Sequence, residues 1–354
     1  MLPATRRLCT PPTGLAPTSA GPRRRHVTPT HLLLLAWVAF GIANLLLRDR
    51  WGTWLVVGMM PWAAWLLIAA VLLVFLWWRT GHTRLTAAVT LVAAAVTVWS
   101  SATPLTRANL AAPSASDIRV VQWNTEFWDL TEPPGALGRR LQSMDADVYV
   151  LQEHGKPSQD GGITGLTNEE KVRAWFPGFH VAAHHDLLTI SRYPIVAELH
   201  GEHGGALVTT VDTPTGPLRV VNVHTVAPYD LSRPPWTGSF WSSVWDRAGT
   251  QDRQLDWAAR QANDRTAPTL VAGDLNATSG MRDINGRFGR LRDVSTSPWH
   301  GTWGIRDVLA WRIDWQLATP TVCVSDFRIL PMNPSSDHTP TQMTIRTRQE
   351  DQSC

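Results

Sequence analysis

Residues 269–277 read Thr-Leu-Val-Ala-Gly-Asp-Leu-Asn-Ala, and the fold of the chain can be worked out from this segment outward. The first four residues are small or apolar, which is typical of a short buried strand, and Gly273 marks its end. Asp274 and Asn276 follow two positions apart, so we expect their side chains to share one face of a cleft. The same pattern also fits a simple turn, because Asp and Asn favour turns.

Composition divides the chain into unlike parts. Its 354 residues are enough for more than one domain of the usual ~100–200 residues. Residues 1–30 are basic and rich in Pro and Thr, and we expect a disordered cytoplasmic tail there. Apolar residues dominate positions 31–103, whereas charges of both signs crowd the remainder. Beyond residue 117 no Lys and Arg cluster is typical of a nucleic-acid track.

The apolar part predicts three transmembrane helices, at about residues 31–47, 54–78 and 85–102. Tryptophans sit at the ends of these stretches, as is typical of membrane interfaces, and a cleaved signal peptide is the less favoured alternative for the first. Because the N-terminal tail and residues 79–84 are basic, three crossings place everything beyond residue 103 outside the cell. We therefore predict a multi-pass cell-membrane protein with a linker at residues 104–116 and an extracellular catalytic domain.

The three cysteines do not form a zinc-binding spacing. Cys9 lies in the tail, and Cys323 and Cys354 lie in the C-terminal part of the chain. These last two could pair outside the cytoplasm, or they could be two unpaired thiols.

Residues 117–347 predict a catalytic domain of many strands and few helices, followed by a short tail at residues 348–354. Helices are expected at residues 135–144 and 251–263, and strands are expected at 118–123, 147–151, 181–183, 187–190, 206–211, 218–223, 269–272 and 312–317, with two more around 322 and 343. This pattern favours sheets packed face to face with helices outside them.

Polar residues close several of these strands in short motifs. The motifs are Gln-Trp-Asn (122–124), Gln-Glu (152–153), Ser-Arg-Tyr-Pro (191–194), Asn-Val-His (222–224), Gly-Asp-Leu-Asn (273–276), Arg-Ile-Asp (312–314) and Ser-Asp-His (336–338). Each one alone has a structural explanation, such as a solvated strand end, a buried histidine or a helix cap.

Together, and in this order, the motifs resemble the endonuclease/exonuclease/phosphatase superfamily of Mg²⁺-dependent phosphoesterases. That superfamily includes DNase I-like nucleases, inositol-polyphosphate phosphatases and neutral sphingomyelinases. The resemblance implies an α+β fold, a four-layer αββα sandwich of the DNase I-like type, here preceded by the three transmembrane helices.

The resemblance also implies a role for each residue. Glu153 is expected to be the main metal ligand, with Asn124 alongside and Asp337 adding to the site, for Mg²⁺ or, as the alternative, Mn²⁺. Catalytic roles fall to His224, Asp274, Asn276, Asp314 and His338. Asp274 would position the attacking water, and Asn276 would bond a phosphate oxygen. Asp314 would orient His338, which faces the developing charge or shuttles a proton, and His224 would bind phosphate or protonate the leaving group.

Substrate-binding positions are expected on both sides of this centre. Arg192 and Asn222 are candidates, although Arg192 also fits a structural role. Residues 232–245 carry Trp236, Phe240, Trp241 and Trp245, which predict either an aromatic rim for the lipid headgroup region or a loop folded onto the domain's own core.

The layout of basic tail, three spans and catalytic domain resembles actinobacterial membrane proteins of the VanJ teicoplanin-resistance type. This implies a role in antibiotic resistance and a lipid-linked substrate at the outer leaflet, a pyrophosphate or phosphodiester such as undecaprenyl pyrophosphate, with no stable nucleic-acid partner. The alternatives are a membrane-tethered nuclease that degrades extracellular DNA, which would need a basic groove, and a non-catalytic binding domain that kept the fold.

Overall fold

The fold was obtained as a computed structural model, which describes residues 29–60, 62–80, 92, 95, 106–127, 133, 135–157, 163–164, 169–230, 232–264, 266–295, 301–305, 309–332, 335–348 and 354. The helices are α1 (Pro29–Leu47), α2 (Gly52–Gly58), α3 (Trp62–Thr80), α4 (Ala136–Met144), α5 (Glu169–Trp175), α6 (Gly238–Ala262) and α7 (Ile284–Phe288). The strands are β1 (Ile118–Asn124), β2 (Val148–Gln152), β3 (Lys156–Pro157), β4 (Ile163–Thr164), β5 (His180–His184), β6 (Leu187–Ser191), β7 (Ile195–His200), β8 (Ala206–Thr213), β9 (Gly216–His224), β10 (Thr269–Asp274), β11 (Arg292–Asp293), β12 (Trp303–Ile305), β13 (Leu309–Trp311), β14 (Asp314–Ala318), β15 (Val322–Ile329) and β16 (Thr341–Thr347).

Two six-stranded sheets form the centre of the molecule. One has the strand order β15-β16-β1-β2-β6-β5 and the other β11-β14-β10-β9-β8-β7. Each contains one parallel pair, β1 with β2 and β9 with β10. Since the carboxyl ends of parallel strands meet at one edge of a sheet, each sheet brings two strand ends together.

Three of the hydrophobic clusters in the described part of the chain define four layers. A central core between the two sheets includes Val120, Val150, Val220, Leu270 and Met343. On the outer face of one sheet, Trp123, Leu141 and Tyr149 pack with Val172 and Phe176 from the region of α4 and α5. On the outer face of the other, Val221, Val223 and Trp315 pack with Leu255 of α6 and Phe288 of α7. The predicted αββα sandwich is therefore confirmed.

The N-terminal part differs from the sequence prediction. Residues 54–78, expected as one span, form two helices, α2 and α3, which are separated at residues 59–61. In the described part of the chain, no helix combines the length and apolar character needed to cross a membrane, so the three predicted spans are not supported. The third, at residues 85–102, lies almost entirely outside the described residues.

The predicted linker is also more ordered than expected from residue 106 onward. Thr106 O accepts from the Asp293 amide, and the Ala108 amide donates to Asp293 O at 2.8 Å. The Ala111 amide donates to Val324 O at 2.6 Å. This segment thus lies along the edge strands β11 and β15, because their outer backbone groups still need partners.

Helix α6 begins thirteen residues earlier than predicted, at Gly238 rather than Gln251. Thr237 caps it, accepting a hydrogen bond from the Phe240 amide. Gly, Ser and Thr are weak helix formers, so propensity did not indicate this extension, but Phe240, Val244 and Ala248 are buried by packing. Phe240, Trp241 and Trp245 of the expected aromatic loop consequently lie in the first turns of a helix, and Trp236 precedes it.

A disulfide bond joins Cys323 of β15 to the C-terminal Cys354, which settles the pairing that the sequence left open. The bond ties Cys354 to the sandwich across a sequence separation of 31 residues.

We expect Cys354→Ser to lower the free energy of unfolding by about 3 kcal/mol, because the bond closes a loop in the unfolded chain. Thermal unfolding with and without dithiothreitol measures this, and the reductant should destabilise wild type and Cys9→Ser but not Cys354→Ser. Equal midpoints for wild type and Cys354→Ser under oxidising conditions would contradict the pairing.

Candidate active site

Five strand ends converge at one edge of the sandwich. In the second sheet, parallel pairing sets His224 opposite Asp274, and antiparallel pairing sets Asp314 opposite Asp274. In the first sheet, Asn124 lies opposite Gln152, and Glu153 follows directly. The side chains that the motifs supply therefore meet across the gap between the two sheets.

Asp274 lies at the centre of this group and is almost completely buried, with 1 % of its surface exposed. Its Oδ1 accepts from the Asn276 amide at 2.7 Å. Its Oδ2 accepts from Asn124 Nδ2 at 3.0 Å and from Asn276 Nδ2 at 3.2 Å. Asn276 adopts a positive φ of 46°, and its Nδ2 also donates to Thr225 O. Asp274 and Asn276 thus form one hydrogen-bonded unit, as their spacing predicted.

Two histidines face Asp274 Oδ2, each held from behind by a carboxylate. His338 Nε2 lies 3.7 Å from this oxygen, and its Nδ1 bonds Asp314 Oδ2 at 2.8 Å. His224 Nε2 lies 3.8 Å from the same oxygen, and its Nδ1 bonds Asp186 Oδ2 in a short contact. Both rings therefore direct Nε2 into the site.

The charges in the group set its protonation states. Burial alone would lower the pKa of His338, but Asp314, Asp274 and Asp337 outweigh it and raise that pKa to about 10. Burial would also lower the pKa of His224, but Asp186, Glu153 and Asp274 raise it to about 10. Burial raises the pKa of Asp274 to about 6, against the lowering effect of His338. At neutral pH a carboxylate thus lies between two imidazolium groups.

Glu153, His224 and Asp274 form the one group of three potential metal ligands among the described residues, with donor atoms within 4.8 Å of one another. Two carboxylates are hard oxygen ligands of the kind that Mg²⁺ and Mn²⁺ prefer. His224 fits less well, because an imidazole nitrogen is a softer donor than Mg²⁺ or Mn²⁺ prefers. The donor set therefore suits a hard divalent cation held by Glu153 and Asp274.

Residues 121–338, more than half of the sequence, match the protein family described as "Endonuclease/Exonuclease/phosphatase family". The chain belongs to the endonuclease/exonuclease/phosphatase family. Members of this family are in general hydrolases of phosphoric esters. No curated protein matches the chain.

Solved structures with a similar fold come from several bacteria. An endonuclease/exonuclease/phosphatase from Beutenbergia cavernae is 20 % identical, with a TM-score of 0.46, over 66 % of this chain and 72 % of that one. A protein of the same description from Bacteroides vulgatus is 15 % identical, with a TM-score of 0.48, over 66 % and 99 %. The mannosyl-6-phosphatase of Bacteroides thetaiotaomicron is 13 % identical, with a TM-score of 0.44, over 65 % and 99 %.

In this family member, the two other predicted metal ligands have different surroundings. Asn124 donates through Nδ2 to both Glu153 and Asp274, while its Oδ1 accepts from the Glu126 amide. The amide nitrogen, rather than the oxygen, thus faces the carboxylates and holds them together. Asp337 lies outside the group of three; its Oδ2 accepts from the Trp303 indole at 2.6 Å. Metal binding by Asn124 and Asp337 stays a prediction.

Arg192 does not reach the site. Strand β6 runs antiparallel to β2, so Ser191 pairs with Val148 at the far end from Glu153. Arg192 follows Ser191 and pairs with Asp147 at 3.0 Å. Six residues of strand separate Asp147 from Glu153, which corresponds to roughly 20 Å. Arg192 is therefore structural, which was the second of its two predicted roles.

Asn222 is fully buried and does not contact the cleft surface. Its Nδ2 donates to Leu151 O and Leu188 O in the facing sheet, and its Oδ1 accepts from Gln152 Nε2 at 2.7 Å. These bonds join the two sheets below the site. The predicted substrate contact by Asn222 is therefore corrected to a structural one.

The aromatic residues of the expected rim divide between surface and core. Phe240 is buried. Trp241 is half-buried, and its ring contacts the ring of Phe240 in an edge-to-face arrangement. Trp236 is 84 % exposed and Trp245 is 44 % exposed. Only these two retain the surface position that the rim requires.

Asp186 and Tyr229 are site residues that the sequence did not reveal. Asp186 lies in the turn between β5 and β6, and the antiparallel pairing of that hairpin brings the turn to the Glu153 edge. Burial and the Asp274 carboxylate raise the pKa of Tyr229 to about 12, so its hydroxyl stays a proton donor beside the site. A polar turn residue after a short strand was the only signal for Asp186.

We expect Asp186→Asn to lower kcat on a phosphodiester by roughly 100-fold, because the carboxylate that orients and charges His224 is lost. Steady-state kinetics with bis-p-nitrophenyl phosphate measures this. Arg192→Ala removes a charge at the opposite end of the sandwich and serves as the control that keeps wild-type kcat. A similar loss in both variants would show that the effect is not specific to the site.

We expect the free energy of unfolding of the metal-free protein to fall as the pH rises from 7 to 10, and His338→Asn to reduce that fall. The stabilising contribution of His338 is complete below its unfolded pKa of about 6.5. It is lost as the pH rises through the folded pKa of about 10. Urea unfolding in EDTA at several pH values measures the slope. Equal slopes for variant and wild type would contradict the charged histidine.

Proposed function

We propose that the protein is a metal-dependent phosphohydrolase whose substrate is a lipid-linked pyrophosphate or phosphodiester, such as undecaprenyl pyrophosphate. The observation that carries the proposal is the convergence of two carboxylate-backed histidines and Glu153 on the buried Asp274. Hydrolysis of a phosphate ester needs an oriented water, donors for the phosphate oxygens and a proton for the leaving group. Each of these has a residue in the group.

The protonation states of Asp274, His224 and His338 assign each residue a different role in hydrolysis. Asp274, with a pKa of about 6, is ionised at neutral pH and accepts a hydrogen bond from the attacking water. His338 and His224, with pKa values of about 10, are donors: one stabilises the negative charge that develops on the phosphate oxygens, and the other protonates the leaving group. Asn276 adds a neutral donor to the phosphate. Glu153 and Asp274 would hold Mg²⁺ or Mn²⁺, and that ion supplies charge neutralisation of the substrate.

The lipid-linked substrate is supported by the apolar surface of the N-terminal helices. Leu35 and Leu46 of α1 and Leu67 and Phe75 of α3 are all exposed. Contiguous exposed apolar surfaces mark sites of contact with a partner or a membrane. We propose that this surface contacts lipid and that Trp236 and Trp245 lie in the headgroup region. Contact of this kind does not require the three crossings expected from the sequence.

An extracytoplasmic catalytic domain is supported by the disulfide between Cys323 and Cys354, because such bonds persist in oxidising compartments. The substrate is then one presented at the outer leaflet. A role in antibiotic resistance, implied by the VanJ-type resemblance, stays a prediction from sequence.

We expect the detergent-solubilised full-length protein to release phosphate from undecaprenyl pyrophosphate with Mg²⁺, and to lose this activity in EDTA or with Glu153→Gln. Phosphate release measured by malachite green tests this, and Arg192→Ala is the matched active control. Trp236→Ser should raise KM for the lipid without changing KM for bis-p-nitrophenyl phosphate, since only the lipid meets the apolar surface. Cleavage of plasmid DNA without phosphate release from the lipid would instead favour the nuclease.

A further inference from the structure

Asp49 lies in the turn between α1 and α2, and it forms ion pairs with two arginines that are far away in the sequence. Its Oδ1 lies 2.9 Å from Arg282 Nη1 and 3.1 Å from Arg287 Nη2. The side chain is 14 % exposed, and the residue adopts a positive φ of 61°. Asp adopts this conformation more often than most residues with a side chain, and here two guanidinium groups hold its carboxylate in place.

Arg282 connects Asp49 to helix α6 of the catalytic domain. It is 2 % exposed, so its charge depends on the partners around it. Nη1 also contacts Asp252 at 2.8 Å, Nη2 donates to Ala248 O, and Nε donates to Gln251 Oε1 at 2.9 Å. The guanidinium is thus fixed between the N-terminal segment on one side and α6 on the other.

Gln251 connects Arg282 to the loop that contains Asn276. It is fully buried, and its Nε2 donates to Leu275 O at 3.2 Å and to Asn276 O at 3.1 Å. Asn276 is itself held at a positive φ, and it binds both oxygens of Asp274. A continuous chain of hydrogen bonds therefore runs from Asp49 through Arg282 and Gln251 to Asn276.

Two further hydrogen bonds fasten the end of α2 to the same region. Thr278 Oγ1 donates to Gly58 O at 3.0 Å, and the Trp311 indole donates to Met59 O at 2.6 Å. Gly58 packs so closely on Gly280 that a Cβ at position 58 would lie 2.4 Å from the Gly280 carbonyl oxygen. Thr278 follows Asn276 by two residues, and Trp311 precedes Asp314 by three.

We propose that Asp49 is a positioning residue for the reaction: through Arg282 and Gln251 it holds the Asn276 loop in the conformation that turnover requires. The N-terminal segment is then part of the catalytic apparatus rather than only an attachment. This inference rests on the proposed hydrolysis, but it does not depend on a lipid substrate. The segment from Asp49 to Met59 lies between α1 and α3, so this chain of contacts also connects those two helices to the active site.

The test compares Asp49→Asn with Asp117→Asn in the full-length protein. Asp117 makes a similarly buried ion pair with Arg346, at 2.8 Å, but it lies seven residues before Asn124, about 23 Å away along β1. On bis-p-nitrophenyl phosphate we expect Asp49→Asn to lower kcat about 10-fold with KM unchanged within about 2-fold, and Asp117→Asn to leave both unchanged.

A double variant tests the path itself. Gln251→Met breaks the same chain of hydrogen bonds, so Asp49→Asn combined with Gln251→Met should have a kcat close to that of the slower single variant. Multiplicative losses would mean two independent effects and would overturn the path. A kcat for Asp49→Asn within 2-fold of wild type would overturn the positioning role.

Amide hydrogen exchange of residues 275–281, measured by mass spectrometry, supplies a readout that does not depend on activity. Exchange should be faster in Asp49→Asn and unchanged in Asp117→Asn. If wild type hydrolyses no phosphoester, this exchange difference shows that the link stands while the proposed hydrolysis fails. If exchange is the same in all three proteins, the link itself is wrong.

Discussion

The structure depends most on the buried negative charge of Asp274. A carboxylate removed from water is costly unless opposite charge and hydrogen-bond donors surround it. Asn124, Asn276, His224 and His338 supply both, and the two histidines in turn need Asp186 and Asp314 behind them. Negative and positive groups thus alternate from Asp274 through His224 to Asp186, and from Asp274 through His338 to Asp314. The carboxylates on either side of each histidine keep it protonated.

The space beneath this centre is filled with polar side chains rather than hydrocarbon. Gln122 donates to Asp314 Oδ1 and to Gln152, and it accepts from Gln316 and Thr341. These groups lie between the two sheets, where an apolar core would be the usual choice. Because Gln122 and Gln152 of one sheet bond Asp314, Gln316 and Asn222 of the other, these hydrogen bonds fix how the sheets sit on one another. Asp314 and Asn222 are therefore each held by a glutamine of the facing sheet.

Much of the fold and most of the site could be predicted from sequence because strands have a period of two and end at polar residues. Asn124, Glu153, His224, Asp274 and Asp314 are all strand ends, and the structure brings them together. Arg192 has the same local pattern, but strand direction is not encoded locally, and β6 runs the other way. Asp186 is an ordinary turn carboxylate until the hairpin places it behind His224.

The N-terminal part shows the opposite limit of sequence reasoning. Apolar content predicted long spanning helices, yet tertiary contacts place α2 against α6, with Leu55 packed on Ala248 and Met281. No local pattern links Asp49 to Arg282 across 233 residues, or shows that a weak helix former such as Gly238 begins α6. These features depend on packing between segments distant in sequence, and only the three-dimensional structure reveals them.

The most direct test of the account is the ionisation of the two histidines that face Asp274. Imidazole ¹⁵N chemical shifts of the metal-free protein, assigned with His224→Gln and His338→Gln, report it across the pH range. We expect both rings to remain protonated at pH 8 and to titrate near pH 10, and we expect Asp274→Asn to shift both titrations downward. Neutral rings at pH 8, or titrations that do not respond to Asp274→Asn, would contradict the central role of that buried charge.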